Sequence, residues 1–266
     1  MLTSPKVRLI PSVATNAVPR YRAVKQALQK MMESGQYAPG SVLPNETTLA
    51  ASLDVSVGTL RHAVDELVHE HMLVRRQGKG TYVALHSRAR FMFQFFHVEP
   101  HWDFGDDDAM HLQVPAEYPA IECLSFSTSR ATPTQASALR VKPGESVIMI
   151  ENRLLLGARA VMRDQICLSS AVFKNLNEKS FTKRPSTIYS LYQTDFGITV
   201  LRTLERARAV TADSASAKIL GIRVASPVME IHRLALSFGD RPVEYRISTL
   251  NTHAHDYVSA SQTQVL

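Results

Sequence analysis

The chain has 266 residues, of which 45% are hydrophobic and 20% are charged, so two folded domains are favoured over one and general disorder is excluded. No apolar run approaches the roughly 20 residues of a membrane helix, and no signal peptide is expected. Two cysteines exclude a disulfide scaffold or a four-cysteine zinc site. A reducing, cytoplasmic location is therefore expected. The formal net charge is +6, and residues 1–86 hold ten Lys and Arg against six Asp and Glu, an excess that does not by itself establish a polyanionic partner.

The beginning of the chain changes from irregular to helical. Residues 1–18 show no apolar periodicity, which predicts a flexible N-terminal arm. A first helix is then predicted by apolar side chains at helical spacing, namely Tyr21, Val24, Leu28 and Met31. Gly35 ends this pattern, and Pro39-Gly40 begins a turn.

Two further helices follow, each preceded by a residue type that favours a helix N-cap. Asn45 precedes a short second helix, and Ser56 precedes a third. The buried face of the third helix is predicted by the apolar spacing of Leu60, Val64, Leu67 and Val68.

A β-hairpin is predicted after His71. Two β-prone runs, 73–77 and 81–83, flank the turn Gly78-Lys79-Gly80. Three helices followed by a hairpin over residues 19–84 predict a winged helix-turn-helix domain.

The rest of the chain predicts a linker and a second domain. Residues 85–95 are interpreted as a linker that enters a strand, and residues 96–266 as the second domain. Strands are predicted near 121–131, 147–156, 160–168, 199–210, 228–237 and 243–251, and short helices near 133–139, 187–196 and 212–220. This pattern indicates an α+β fold with a mostly antiparallel sheet.

The first domain carries residues that suit DNA recognition. In a winged helix-turn-helix the third helix lies in the major groove, with the residues near its N-terminus against base edges. Small residues at that end let the helix approach phosphates, and Thr59 and Arg61 suit phosphate or base contacts. Lys79 at the tip of the wing and Arg75 on the preceding strand add positive charge.

Some polar side chains of this domain are expected to have structural roles. Asn45 and Ser56 suit helix caps before DNA contacts, and Glu46 suits the start of its helix rather than an anionic partner. Arg61 is expected to contact DNA because an exposed arginine at its position has little else to bind.

Several short motifs occur in order along the first domain, at 39–46, 49–50, 55–56, 59–61 and 78–83. In order and spacing they resemble the DNA-binding domain of GntR-family bacterial repressors. The family often has arginine after the glutamate and after the serine, where this chain has Thr47 and Val57. The resemblance places candidate DNA contacts at Asn45, Thr47, Thr48, Ser56, Val57, Gly58, Thr59, Arg61, Arg75, Lys79 and Gly80.

The second domain resembles the UTRA effector domain of the HutC-like branch of that family, which is similar in fold to chorismate lyase. The residues that carry the resemblance are a strand-turn-strand over 147–168, the segment 188–197, and Arg241-Pro242-Val243-Glu244 followed by Tyr257. The resemblance implies a small-molecule effector site and dimerisation in this domain, without a cofactor or a metal.

Candidate effector residues follow from the same resemblance. Sugar-phosphate-responsive relatives have an Arg-x-Arg pair before the turn. We place this turn at Gly157-Ala158, so the positions of the pair are Asn152 and Leu154. Both arginines are therefore missing in this chain. We expect an effector with hydroxyl or amino donors and at most one carboxylate rather than a phosphate. The candidate effector-binding residues are His97, Asn152, Asp164, Glu244 and Arg246.

The sequence therefore predicts a homodimeric transcriptional regulator that binds a palindromic operator and responds to a small molecule, as a repressor of a metabolic operon. One alternative is a DNA-binding protein whose C-terminal domain serves dimerisation only. Another is a lyase-like enzyme, against which stand the DNA-binding domain and the lack of a nucleophile and base at motif spacing.

Overall fold

The computed structural model of the protein describes residues 19–101 and 118–258. Within them the chain divides into two compact units, the second of which begins at His86. The predicted N-terminal arm, residues 1–18, lies outside the described residues.

The first unit is the predicted winged helix-turn-helix. Its two wing strands pair antiparallel, with Arg76 opposite Gly80. The elements are helices α1 (Arg20–Glu33), α2 (Glu46–Ser52) and α3 (Val57–His69), followed by strands β1 (Leu73–Arg76) and β2 (Gly80–Val83).

Helix α1 packs against α3 through one apolar face. Met32, rather than the predicted Met31, continues the buried row that begins at Val24 and Leu28, because residues four apart stack along the same side of a helix. Leu60 and Leu67 of α3 are fully buried in this core.

The tip of the wing depends on two glycines. Gly78 and Gly80 have φ values of +69° and +106°, in the region that residues with a Cβ rarely adopt. The tight turn lets the Lys79 amide donate to the Arg76 carbonyl at 2.9 Å and leaves the lysine exposed at the tip.

The second unit is an α+β domain, as predicted, around one six-stranded antiparallel sheet in the order β4-β5-β6-β9-β8-β7. Its helices are α4 (Arg88–Gln94), α5 (Pro133–Leu139), α6 (Glu178–Thr182), α7 (Ile188–Phe196) and α8 (Ser214–Leu220). Its strands are β3 (Val98–Pro100), β4 (Ala120–Arg130), β5 (Ser146–Leu156), β6 (Arg159–Ser169), β7 (Arg202–Thr211), β8 (Pro227–Leu236), β9 (Pro242–Leu250) and β10 (His255–Tyr257). Strands β3 and β10 pair separately.

The two sides of the large sheet carry different apolar clusters. Along β6, Ile166 and Leu168 lie in the larger core with Phe181 of α6 and Tyr189 of α7. Cys167, between them in sequence, lies in a smaller cluster on the opposite side. This alternation follows from the period of two in a strand, and we call the larger cluster's side the core side.

Residues 85–95, interpreted as a linker that enters a strand, contain helix α4, and the strand that follows them is β3. Ser87 caps α4 by accepting a hydrogen bond from the Arg90 amide at 3.2 Å, and Phe91, Phe95 and Phe96 are buried in the larger core. The phenylalanine spacing fits both a strand and a helix, and the cap together with the i, i+4 contact of Phe91 with Phe95 favours the helix.

Because Phe95 is completely buried, Phe95→Ala should lower the free energy of unfolding of the second unit by about 3–5 kcal/mol. Urea denaturation of the full chain measures this loss. Leu124→Ala is the control because Leu124 is 40% exposed. Equal effects of the two substitutions would contradict the packing of α4.

Candidate DNA-binding surface and effector site

Two predicted contact residues cap the helices of the DNA-binding motif. The Asn45 side chain accepts a hydrogen bond from the Thr48 amide at 2.8 Å. The Ser56 hydroxyl accepts one from the Thr59 amide at 3.2 Å and lies 2.9 Å from the Thr59 hydroxyl. Both caps are exposed, so the start of α3, including Val57 and Gly58, is held in helical form at the surface.

An acidic side chain connects the two arginines of the surface. Glu46 accepts a hydrogen bond from Arg61 Nε at 2.5 Å, and its other oxygen lies 4.0 Å from Arg75 Nη2. Arg75 also pairs with Asp65 of α3 at 2.5 Å. The expectation that Arg61 has little else to bind is therefore wrong, because Glu46 at the start of α2 reaches across to α3.

These ion pairs leave the arginines available. The Arg61 side chain is 62% exposed and that of Arg75 is 46% exposed, so each pair contributes little to stability and can be exchanged for a phosphate or a base. Lys79, at the tip of the wing, makes no ion pair with a described residue, and the exposed Thr47 and Thr48 lie at the start of α2.

In the second unit, polar side chains form a row across the core side of the large sheet. Strand register places Asn152 opposite both Cys123 and Asp164, and Ser248 opposite Asp164. Arg233 lies opposite both Arg246 and Glu205. We call this set the polar row: Cys123, Asn152, Asp164, Ser248, Glu244, Arg246, Arg233 and Glu205.

An arginine with two carboxylates forms the centre of the polar row. Arg246 donates to Asp164 at 2.8 Å and to both oxygens of Glu244 at 2.9 and 3.1 Å, and all three side chains are buried. Burial alone would lower the pKa of Arg246, but Glu244 and Asp164 outweigh it and raise the pKa well above its ordinary value. The guanidinium therefore stays charged and holds the two acids together.

Two tyrosines of α7 complete this centre, and sequence reasoning missed both as site residues. Tyr192 and Tyr189 donate to Glu244 at 2.7 and 3.2 Å. Their complete burial and the nearby Glu244 charge raise the pKa of both phenols, so they remain neutral donors. Their i, i+3 spacing on one face of a helix was the available signal.

The carboxylates of the polar row already accept hydrogen bonds from the protein. Ser248 donates to the second oxygen of Asp164 at 2.5 Å, and Arg233 donates to Glu205 at 2.5 Å. The Tyr257 hydroxyl also bonds Glu205. A direct contact of Asp164 or Glu244 with the donors of an effector stays a prediction.

His97 lies at the β7 end of the polar row. Its ring packs edge-on against Tyr257 at 5.8 Å between centroids. Burial lowers the pKa of His97; the smaller effect of Glu205 raises it, and that of Arg233 lowers it further. The structure thus brings Asn152, Asp164, Glu244 and Arg246 together and places His97 apart from Asn152.

Two polar groups near the β4 end have unused hydrogen-bonding capacity among the described residues. The Asn152 side-chain oxygen has no partner although the residue is only 3% exposed, and the Nε of Arg184, which follows α6, has none either. Sequence reasoning missed Arg184, because no local pattern marks it. Leu154, at the other position of the missing arginine pair, lies in the apolar core.

Neither a metal centre nor a membrane span emerges from the described ranges. No group of three or more His, Cys, Asp and Glu side chains there could hold a metal ion. None of the helices in 19–101 and 118–258 is long and apolar enough to cross a bilayer.

Two family models match the chain. Residues 20–83 match the family described as bacterial regulatory proteins, gntR family, and residues 108–256 match the UTRA domain. Together with the winged helix-turn-helix and the separate α+β domain, these matches define a DNA-binding transcriptional regulator with an effector domain, not an enzyme. The chain belongs to the GntR family, in the HutC-like branch that carries a UTRA domain.

Named relatives and solved structures agree with this assignment. The chain is 27% identical to "Probable transcriptional regulator PhnF" of Escherichia coli K12 over 86% of this chain and 90% of the relative. It is 29% identical to the histidine utilization repressor of Klebsiella aerogenes over 62% of this chain and 64% of the relative. The ligand-binding domain of a GntR-family regulator from Bordetella bronchiseptica matches 62% of this chain and 95% of its own, with 25% identity and a TM-score of 0.54.

Removing the central arginine should be costly. Arg246→Met leaves Asp164 and Glu244 buried without their counter-charge, so the free energy of unfolding should fall by about 3–5 kcal/mol. Chemical denaturation measures the change. Arg153→Met, which breaks the exposed pair with Glu122, should cost less than about 1 kcal/mol. A similar cost for both variants would show that the buried pairs are not formed.

Proposed function

We propose that the protein is a cytoplasmic, homodimeric repressor of a catabolic operon that binds a palindromic operator and releases it when a small molecule binds at the polar row. The observation that carries the proposal is that one chain joins an exposed recognition helix to a domain whose sheet buries a network of charged and polar groups. Relatives include repressors named for histidine and fructoselysine utilization.

The start of α3 and the wing contact the DNA. Arg61 reads a base edge after leaving Glu46, and Lys79 holds a phosphate from the tip of the wing. The capped, exposed N-terminal turns of α2 and α3 supply amide donors and a positive dipole end for neighbouring phosphates. One recognition helix reads only a few base pairs, so the proposal requires two copies.

The effector half of the proposal uses the polar row. A domain that served dimerisation only would have no use for a buried Asn152 oxygen that lacks a partner among the described residues, since an unsatisfied buried polar group costs about 1–3 kcal/mol. A ligand that donates a hydrogen bond to this oxygen would offset that cost. It would stabilise the state of the regulator to which it binds and so shift the equilibrium between two states.

Substitutions at Arg61 and Lys79 test the DNA surface. Arg61→Ala should weaken operator binding by about 1–3 kcal/mol and relax specificity at one base pair per half-site. Lys79→Ala should weaken binding to all DNA sequences alike. It should also reduce the salt dependence of the binding constant by the equivalent of about one phosphate contact. Fluorescence anisotropy at several salt concentrations measures both. Arg208→Ala, an exposed arginine of the second unit, is the control, and wild-type affinity in both test variants would refute the proposed surface.

The oligomeric state tests the palindromic operator. Sedimentation of the protein at micromolar concentration should give a dimer, and footprints should show two half-sites whose centres are about 10 base pairs apart, or a multiple of that. A monomer that protects an asymmetric site would contradict the proposal.

The effector role is tested on the protein-operator complex. Metabolites that raise the melting temperature of the free protein should weaken operator binding roughly 5–150-fold, the usual range of allosteric coupling. A compound that stabilises the protein and leaves operator affinity unchanged would count against regulation through this domain.

A further inference from the structure

Arg184 is a half-buried cation without a counter-ion among the described residues. Its guanidinium lies 4.4 Å from the centre of the Phe181 ring, and Nη1 donates to the Phe181 carbonyl at 2.5 Å. Its Nε is buried and has no acceptor. Burial lowers the pKa of Arg184, so the charged form is held at a cost that a bound anion would offset.

No carboxylate of the described residues pairs with Arg184, although Glu178 acts on the neighbouring Cys123 thiol. The groups that affect Arg184 electrostatically include Tyr118, Tyr192, Cys123 and Arg246. Burial raises the pKa of both phenols and of the thiol, so at neutral pH these three groups carry no negative charge.

A second arginine adds to this positive region. The Arg88 guanidinium lies 5.0 Å from the centre of the Tyr118 ring, and it forms no ion pair with a carboxylate of the described ranges. Arg88 and Arg184 both act electrostatically on Tyr118, which places the two cations on the same region of the second unit.

Asn152 supplies an acceptor close to this region. Cys123 lies opposite Asn152 in the sheet register and is also within electrostatic reach of Arg184. Helix α6, which precedes Arg184, packs on β4. The unpartnered carbonyl oxygen and the unpaired guanidinium therefore lie at the same end of the polar row.

These two groups define the complementary ligand. A guanidinium binds carboxylate or phosphate oxygens through paired N–H donors, and an amide oxygen accepts an N–H or O–H. We infer that the effector carries an anionic group, a carboxylate or a phosphate, bound by Arg184, and a hydrogen-bond donor bound by Asn152. The inference rests on the proposed effector function and assigns its ligand class.

This assignment gives the acids of the polar row a different role from the one expected from the sequence. Asp164 and Glu244 hold Arg246 and the α7 tyrosines in place. The ligand is bound instead by Arg184 and Asn152. The missing Arg-x-Arg pair then excludes an anion site at positions 152 and 154 but not one built from Arg184.

The test uses the full chain and four sets of probes: small carboxylic acids that carry an N–H or O–H donor, their primary amides, small amines, and inorganic phosphate. The acids or phosphate should raise the melting temperature, and the amides and amines should not. Calorimetric titration should show binding about tenfold to a hundredfold weaker in Arg184→Gln, since one charge-assisted contact is lost.

Matched variants separate binding from folding. Arg184→Lys should restore part of the affinity, and Arg153→Gln, an exposed arginine on the same sheet, should bind as the wild type does. Asn152→Leu should retain the melting temperature of the ligand-free protein, because it removes an unsatisfied oxygen, and should weaken binding of the acids by removing the acceptor for their N–H or O–H donor.

Each outcome decides the inference. The inference is supported if an anionic probe binds the wild type and Arg153→Gln but not Arg184→Gln. Competition between phosphate and the acids shows whether both bind at this site. Undiminished binding to Arg184→Gln, or binding of the amides or amines alone, overturns the anionic class while the effector function stands. If no probe of any set shifts the melting temperature or the operator affinity, the inference and the effector function fall together.

Discussion

One guanidinium, that of Arg246, holds two carboxylates together at the centre of the polar row, which crosses the core side of the large sheet. Two acids and one arginine leave a net negative charge in the core, and such a group is tolerated only when its remaining lone pairs are satisfied. The tyrosine hydroxyls of α7 and the Ser248 hydroxyl satisfy them. The position of α7 over β6 and β9 is thereby fixed by hydrogen-bond geometry as well as by apolar packing.

Hydrogen bonding along the polar row differs between its two ends. Its members are paired from β6 through β7, where Arg233 and Glu205 close the row. Toward β4 the pairing stops, and Asn152 and Arg184 are left with unused donors and acceptors. The polar groups next to these two side chains are already oriented by hydrogen bonds within the protein.

The fold could be predicted from local signals. Strands of the large sheet follow from alternating burial and marked turns, and the first-unit helices from their caps. The apolar spacing around Phe91 and Phe95 fits both the period of a helix and that of a strand, so it does not distinguish between them. In the candidate site, the grouping of Asp164, Glu244 and Arg246 came from a family resemblance. Within 19–101 and 118–258, Arg184 lacks a counter-ion because no element distant in sequence brings a carboxylate to it, and a local sequence pattern cannot predict this.

The shared use of Glu46 by Arg61 and Arg75 has a consequence for how a DNA sequence is selected. An arginine that leaves a carboxylate for DNA gains only the difference between two partners, so a poor base returns it to Glu46. Such an internal competitor sets a threshold: only a base or phosphate that binds the guanidinium more strongly than Glu46 does draws Arg61 away, and at every such site the affinity for DNA is lower by the free energy of the Glu46 pair.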